Sequence, residues 1–383
     1  MFERSAITGI GETVYQKKSL GKTGLQLQME SSLAAIADAG LKPTDIDGLI
    51  TYGGANAGAV PEDFIVNFGL DLRFSGHTPL GGASCVAAIQ CAAALITAGV
   101  CKHVLIPVGR ANFSGPRASD RLKSSGQLRL ITEFERPVGA FAPAQFYAHM
   151  ARRHMELYGT TSRQLAEIAV TTRRHAALNG NAAMTAPITI EDHQASRMIA
   201  DPFRLYDCSL ETDGGAAIVV SETERARGMR RRPVLVMGVA EGHPDSPSTI
   251  TQRKDILSFG LERAAPHAFA MAGVTPDEID VAEIYDCFTF VVLNQLENLG
   301  FCKKGEGGAF VENGGLGLGG RLPVNTHGGL LSQGHVLGMN HVVELVRQLR
   351  GEAGAAQVKD AQIGLVTGYG NMCEGSVAIM RRG

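Results

Sequence analysis

The chain of 383 residues has no tryptophan, and aromatic residues make up only 6% of it. So few rings leave little material for a stacking platform that would hold single-stranded nucleic acid or sugar. Charge of either sign is not in excess: 36 Lys plus Arg stand against 38 Asp plus Glu, a formal net charge of −2. Nucleic acid and anionic membranes select clustered basic residues, so neither is expected as a partner. The short run Arg230 to Arg232 reads as a solvated face. Seven cysteines, at 85, 91, 101, 208, 287, 302 and 373, include no CxxC pair and fit no histidine spacing of a zinc site, so no metal is expected. Long apolar runs are missing too. The most apolar helix-length stretch, Val86 to Val100, is interrupted by Gln90 and too short to span a bilayer, and the start, MFERSAITGIGE, has no apolar segment behind its charges. A cytoplasmic chain with reduced thiols and no membrane span is the expectation.

Glycine is what the sequence has in quantity, 47 residues, beside 44% hydrophobic residues overall. Glycine at this level implies many tight turns and close backbone approaches, and the length suggests two or three lobes with an ample core. An internal repeat organises them. Residues 34–53, AAIADAGLKPTDIDGLITYG, align without a gap on residues 267–286, HAFAMAGVTPDEIDVAEIYD. Each copy reads as a helix, a glycine stop, a turn with proline and an acidic cap, then a short apolar strand. In the first copy Leu25, Met29, Leu33 and Ile36 recur at helical spacing, and the strand spans Gly48 to Tyr52.

Gly214 to Val220 resembles Gly375 to Met380, each a closing strand, and between the copies both halves carry a long apolar helix followed by a strand. These are Val86 to Ala98 with Val104 to Val108, and Val336 to Leu349 with Ile363 to Thr367. Two duplicated α/β halves, 1–230 and 231–383, are the simplest organisation, with an insertion over about 111–205 that has no counterpart in the second half. Pro107 sits awkwardly within the first of those strands, because proline supplies no ladder donor.

Three segments carry chemistry. In Gly81-Gly82-Ala83-Ser84-Cys85 a glycine-rich turn delivers Cys85 to the start of a helix, where free amides and the macrodipole favour a thiolate. That is a nucleophile's placement, and it is equally the placement of an inert, buried thiol. Cys91 and Cys101 read as packing. The run Asn325 to Gly338 holds His327 and His335, with Gly328 and Gly329 between them able to admit a ligand close to the backbone. His335 takes roughly the place in the second half that Cys85 has in the first, so packing of the halves could set an imidazole beside a thiol. Either histidine also fits a turn residue bonded to backbone. The third segment, Glu283-Ile284-Tyr285-Asp286-Cys287-Phe288, lies where the repeated strand ends, and ligands of open α/β sheets gather outside the carboxyl ends of strands. Its plainer reading is a turn with Asp286 as a cap and Cys287 in the core.

With these residues the sequence resembles the thiolase superfamily, most closely the sterol-carrier-protein-2-type thiolase and lipid-transfer-protein group, over essentially the whole chain. The matching motifs are GGASC at 81–85, YDCF at 285–288 where the group has HDCF, NTHGGLLSQGH at 325–335, and Thr212 to Ala217, similar to NDGAA. The resemblance implies a five-layer α/β/α/β/α thiolase fold, a homodimer, and chemistry on acyl-CoA thioesters with coenzyme A as substrate and no permanently bound cofactor. By the same resemblance Cys85 is the acylated nucleophile, His335 activates it and lines an oxyanion hole, and Cys287 is the acid/base. Asp286, Cys373 and His327 are further catalytic candidates, and Gly328, Gly329 and Gly375 would admit coenzyme A.

The sequence departs from that pattern at two places. Tyr285 replaces the histidine of HDCF, and Gly368 to Gly375, GYGNMCEG, replaces the closing CxGG motif. A phenol can donate a proton but is a poor resting base.

Three readings are compatible with these motifs. The expectation, from the retained Cys85 and His335, is thiolytic cleavage of a 3-oxoacyl-CoA through an acyl-cysteine intermediate. The alternative is retro-aldol cleavage of a 3-hydroxyacyl-CoA, the reaction implied by the similarity of Tyr285 to the tyrosine of the lipid-transfer-protein retro-aldolases; a third is a non-catalytic acyl-CoA-binding subunit. Members with this tyrosine imply a small OB-fold acyl-CoA-binding partner carrying its own zinc. Phe141, Phe146, Tyr147 and Met150 are candidates for an acyl tunnel, and Arg110, Arg117, Arg121 and Lys123 for the coenzyme A phosphates.

Overall fold

A computed structural model describes residues 4–18, 21–52, 60–115, 120, 129–245 and 249–383. Its strands are β1 (Ser5–Glu12), β2 (Gly48–Thr51), β3 (Phe74–His77), β4 (His103–Ala111), β5 (Met198–Ala200), β6 (Phe203–Arg204), β7 (Asp213–Glu222), β8 (Val234–Gly242), β9 (Val281–Glu283), β10 (Ile363–Gly370) and β11 (Glu374–Arg382). Apart from the small β5-β6 ladder they join in one mixed sheet ordered β3-β2-β4-β7-β1-β8-β11-β10-β9. The join at β1 and β8 rests on two residue pairs, Ala6 with Leu235 and Ile7 with Val234. On either side of it the order is mirrored. Even the outer position of β3 has an echo, a parallel bridge between Ala282 and Val324 beside β9.

The longer helices are α1 (Gly24–Asp38), α2 (Pro61–Phe68), α3 (Ser84–Thr97), α4 (Pro143–Tyr158), α5 (Ser162–Leu178), α6 (Gly260–Ala272), α7 (Thr289–Asn298) and α8 (Met339–Arg350). α1 covers β1, β4 and β7 from outside, and α6 covers β8 and β11. α3 touches β4 and β7 but also β8, β10 and β11, while α8 touches β9 and β10 but also β1 and β7. These two helices therefore lie between the arms of the sheet. The order α1, first arm, α3 with α8, second arm, α6 is the five-layer α/β/α/β/α arrangement of the thiolase fold.

Local sequence explains the close layering. α1 starts at Thr23, whose hydroxyl accepts the Gln26 amide at 3.2 Å while the Gln26 side chain accepts the Thr23 amide at 2.8 Å. The outer helices lie almost on the strand backbone: a Cβ on Gly9 would stand 2.1 Å from the Ala35 carbonyl, and one on Gly238 2.3 Å from the Ala268 carbonyl. Pro107 fits because β4 pairs with β2 only at Val104 and Leu105; beyond them, where Pro107 sits, its other neighbour β7 alone continues. The segment 131–178 does not form its own core. Ile131, Phe146, Leu165 and Ile168 pack in one cluster with Phe290, Leu293 and Leu330, on the second arm's side of the molecule.

Candidate active site

A cavity of about 500 Å³ opens where β9 and β10 end and the inserted segment crosses them. Its walls come from several places in the chain, Asn112 and Ile199 among them. Gly82 comes from the turn before α3, Ala142 to Tyr147 from the start of α4, Cys208 to Glu211 from the segment before β7, and Tyr285, Cys287, Phe288, His335 and Tyr369 from the second half. The three motifs around 82, 285 and 335 thus meet on one surface.

His335 is fixed through its backbone. Its amide donates to the Thr212 hydroxyl at 2.8 Å, and its carbonyl accepts from the Asn112 side chain at 3.4 Å, which in turn is held by Arg110 at 3.0 Å. Thr212 belongs to the TDGGAA motif, whose next residue, the buried Asp213, accepts the amides of Phe113 and Ser114 and ties down the start of the insertion.

Tyr285 is locked equally firmly. Its amide donates to Thr367 Oγ1 at 3.0 Å, and its carbonyl accepts from Gln295 Nε2 at 2.7 Å. Its ring meets His335 edge-on, centroids 6.2 Å apart at 89°, and lies over His341 at 6.2 Å and 22°. Burial, then the neighbouring Cys287 and Cys85, hold the phenol well above its ordinary range, so it stays protonated.

Cys287 faces the cavity, and burial followed by the charge of Asp286 keeps its thiol well above the usual cysteine range although the Tyr147 hydroxyl bonds it. A resting thiolate base is disfavoured there. Cys85 is near Tyr285 but buried. It is 2% exposed, belongs to the core between α3 and α8 and is absent from the cavity wall. Burial pushes its thiol up to about 12, against partial relief from Arg110 and a hydrogen bond from the Met339 amide. The motif match and the helix N-terminus suggested a thiolate; the desolvation of the sulfur outweighs them.

The other candidates are structural in position. Asp286 is wholly buried and accepts the amides of Leu330 (2.7 Å) and Leu331 (3.2 Å) and the His341 ring nitrogen (3.0 Å), pinning the turn that ends at His335. His327 turns inward, 2.9 Å from Glu283 and 3.3 Å from Asn340, and burial lowers its pKa to about 3. Cys373 is completely buried, its thiol raised to about 12 by burial, and it too is absent from the cavity wall.

The glycines expected to admit coenzyme A face protein instead. A Cβ would meet Ala176 Cβ at 2.5 Å from Gly328, Asp286 Oδ2 at 2.0 Å from Gly329, and the Leu261 amide at 2.3 Å from Gly375. Of the tunnel candidates Tyr147 lines the cavity, Phe146 and Met150 are in the core, and Phe141 is half exposed. Arg110 lies near Tyr285 and Cys85 and holds Asn112, while Arg117, Arg121 and Lys123 lie outside the described residues. Among the described residues no cluster of His, Cys, Asp and Glu could hold a metal, and no helix is long and apolar enough to cross a membrane.

Sequence reasoning missed Asn112, His341, Thr367 and Gln295. His341, six residues after His335 and in the first turn of α8, is the one the sequence could have offered.

Fold and cavity together define a thiolase-fold protein. Residues 242–382 match the thiolase C-terminal domain-like family. The chain is 40% identical to the steroid side-chain-cleaving aldolase of Thermomonospora curvata over 91% of its own length and 90% of that protein's. It is 41% identical to the 17-hydroxy-3-oxo-4-pregnene-20-carboxyl-CoA lyase of Mycobacterium tuberculosis, over 91% and 92%. An acetyl-CoA acetyltransferase of Methanothermobacter thermautotrophicus is 34% identical over 89% and 90%. Among solved structures, the Ltp2–ChsH2(DUF35) aldolase superposes with a TM-score of 0.92 at 38% identity, covering 99% of this chain and 98% of that one. The chain belongs to the thiolase superfamily, in its sterol-carrier-protein-2-type group. Within that group the relatives favour carbon–carbon lyases over acyltransferases, which supports the retro-aldolase alternative above the expected thiolase.

Proposed function

We propose that the protein is a retro-aldolase that cleaves a 3-hydroxyacyl-CoA into a carbonyl compound and a shortened acyl-CoA. The observation that carries this reading is the contrast between the two ends of the motif set: Tyr285 and His335 face the cavity, whereas Cys85 is buried away from it with its thiol raised to about 12. A covalent nucleophile has to reach the substrate. A retro-aldolase needs only a base at the 3-hydroxyl and a donor at the thioester oxygen.

In this mechanism His335 accepts the proton of the 3-hydroxyl. The oxygen's electrons form the new carbonyl, the C2–C3 bond breaks, and its electron pair passes into the thioester as an enolate. Tyr285, protonated because buried, donates a hydrogen bond to the enolate oxygen. The proton on His335 then goes to C2, so the reaction neither consumes nor releases a proton. Cys287 and Tyr147 shape the wall. Coenzyme A is a part of the substrate and no resident cofactor is required.

The related solved aldolase is a complex with a DUF35 protein. We assign this chain a partner of the same kind, a small acyl-CoA-binding subunit, and a homodimeric core of its own.

The test is cleavage of a 3-hydroxyacyl-CoA, with the partner present and no free coenzyme A. Cys85→Ala should retain the wild-type rate, and Tyr285→Phe should lose about 10²-fold in kcat, the usual cost of one oxyanion donor. Loss of cleavage in Cys85→Ala, with an acyl group trapped on Cys85 in the wild type, would return the protein to the thiolases.

A further inference from the structure

The cavity stops short of Cys85, and the atoms in between identify what stops it. Gly82 lies three residues before Cys85, in the turn that starts α3. Gly338 immediately precedes Met339, the first residue of α8, whose amide bonds the Cys85 sulfur. The Tyr285 ring fills the space between these two glycines. A Cβ built on Gly82 would fall 2.2 Å from both Cζ and the hydroxyl of Tyr285, and one on Gly338 would fall 2.9 Å from Cδ2. Gly82, Tyr285 and His335 line the cavity, whereas Cys85 is on neither that wall nor the surface.

Both glycines are thus needed for the ring as much as for the turns. Gly338, at φ +80°, also serves a left-handed turn, but Gly82 does not have a positive φ, and its missing side chain is explained by the closeness of the ring and of the Tyr369 carbonyl at 2.3 Å.

We propose that Tyr285 is the residue that decides which reaction this fold performs, by plugging the slot between the α3 and α8 N-termini and withholding a latent nucleophile, Cys85, from the substrate. The sulfur has what a nucleophile needs apart from access. It sits at the N-terminus of α3, it takes a hydrogen bond from the N-terminus of α8, and Arg110 is near enough to favour its thiolate. Opening the slot gives it water, which removes the desolvation that keeps it protonated, and gives it a path to the cavity that contains His335.

The latent activity is acyl transfer. With acetyl-CoA as the probe, the Cys85 thiol gives its proton to a base and its sulfur attacks the thioester carbon. A new C–S bond forms to the enzyme, the C–S bond to coenzyme A breaks, and the coenzyme A thiolate leaves and takes up the proton. No oxidant or reductant enters.

This inference deepens the retro-aldolase reading, in which Tyr285 is also the enolate donor, and it is tested by a readout that does not involve cleavage. Wild type, Tyr285→Phe, Tyr285→His and Tyr285→Ala are treated under native conditions with iodoacetamide, and separately with acetyl-CoA, and the modified cysteines are mapped by mass spectrometry. The buried Cys101 and Cys373 serve as internal reporters of unfolding. Cys85 should be modified at least about tenfold faster in Tyr285→Ala than in the wild type, with Cys101 and Cys373 unchanged. Tyr285→Phe keeps the ring and loses the hydroxyl, so it should label as slowly as the wild type although it has lost cleavage.

Wild-type Cys85 reacting as fast as in Tyr285→Ala would overturn the plug, and so would equal labelling of Tyr285→Phe and Tyr285→Ala. Should Tyr285→Ala expose all three cysteines, Tyr285→His decides: selective labelling of Cys85 supports the plug, and none refutes it. A failed plug leaves the cleavage assay untouched, and a wild type that cleaves nothing leaves the labelling result standing.

Discussion

At the residue scale the site is governed by desolvation. Four groups that a sequence reader assigns to catalysis, Cys85, Cys287, Cys373 and Tyr285, are all pushed toward their neutral forms by burial. The same force acts on the pair behind the site, where burial raises Glu283 from 4.5 to about 8 and lowers His327 from 6.5 to about 3. Between pH 4.5 and about 8 the folded protein holds a proton on Glu283 that the unfolded chain releases, so this group makes stability fall as pH rises. Between about pH 3 and 6.5 the unfolded chain holds a proton on His327 that the folded protein excludes, so this one makes stability rise with pH. The two oppose each other from 4.5 to 6.5. Of the two, only Glu283 still acts above pH 6.5.

The unfolding free energy should therefore fall from pH 6.5 to 8 by at most about 1.4 kcal/mol per pH unit from Glu283, and the melting temperature with it. Glu283→Gln, which fixes the neutral form, should flatten that slope in thermal melts across the same range. An unchanged slope would mean that Glu283 is already ionised at pH 6.5. None of this was legible in the sequence, where EIYD reads as a polar turn, because a pKa depends on the surroundings that folding supplies. The motif spacing did mark Cys85, Tyr285 and His335. Spacing does not carry the packing that sets Tyr285 and His335 on the cavity wall and keeps Cys85 off it.

At the scale of elements the sequence was more informative. The aligned stretches 34–53 and 267–286 hold the ends of α1 and α6 and the strands β2 and β9, in mirrored places beside the same kind of neighbours. The helix expected from Val86 begins at Ser84, two residues early, because the GGA turn runs straight into it. The one expected from Val336 begins only at Met339: Leu337 and Gly338 take positive φ, and the chain from 329 to 333 winds as a wide π turn around Asp286. Asp286 explains that turn and no local propensity does.

Gly329→Ala tests it. The new methyl would lie 2.0 Å from the Asp286 carboxylate at a backbone φ of +56°, so the turn cannot close and His335 loses its support. A loss of about 2 kcal/mol or more in denaturant unfolding, with cleavage abolished, is expected. Gly319→Ala, where nothing lies within 4 Å of the new Cβ, should leave both unchanged. Equal effects of the two substitutions would show that the contact with Asp286 is not what the turn depends on.

At the scale of the whole molecule, two mirrored arms of one sheet enclose α3 and α8, and the inserted helices lie over the second arm to complete a cavity to which both arms contribute. The duplication was readable in the aligned stretches, and the five-layer arrangement was what the resemblance implied. The insertion was readable only as an interval, since helical periodicity in 143–158 cannot tell which of Phe146, Tyr147 and Met150 faces the cavity; tertiary packing put Tyr147 there and the other two in the core.

What the assembled molecule does is tested most directly by offering one preparation, with its partner, two substrates side by side: a 3-hydroxyacyl-CoA alone, and the matching 3-oxoacyl-CoA with free coenzyme A, both followed by mass spectrometry of the acyl-CoA products. A retro-aldolase whose sulfur is shut behind Tyr285 shortens the first and leaves the second intact. Shortening of the second, with the first untouched, would contradict it.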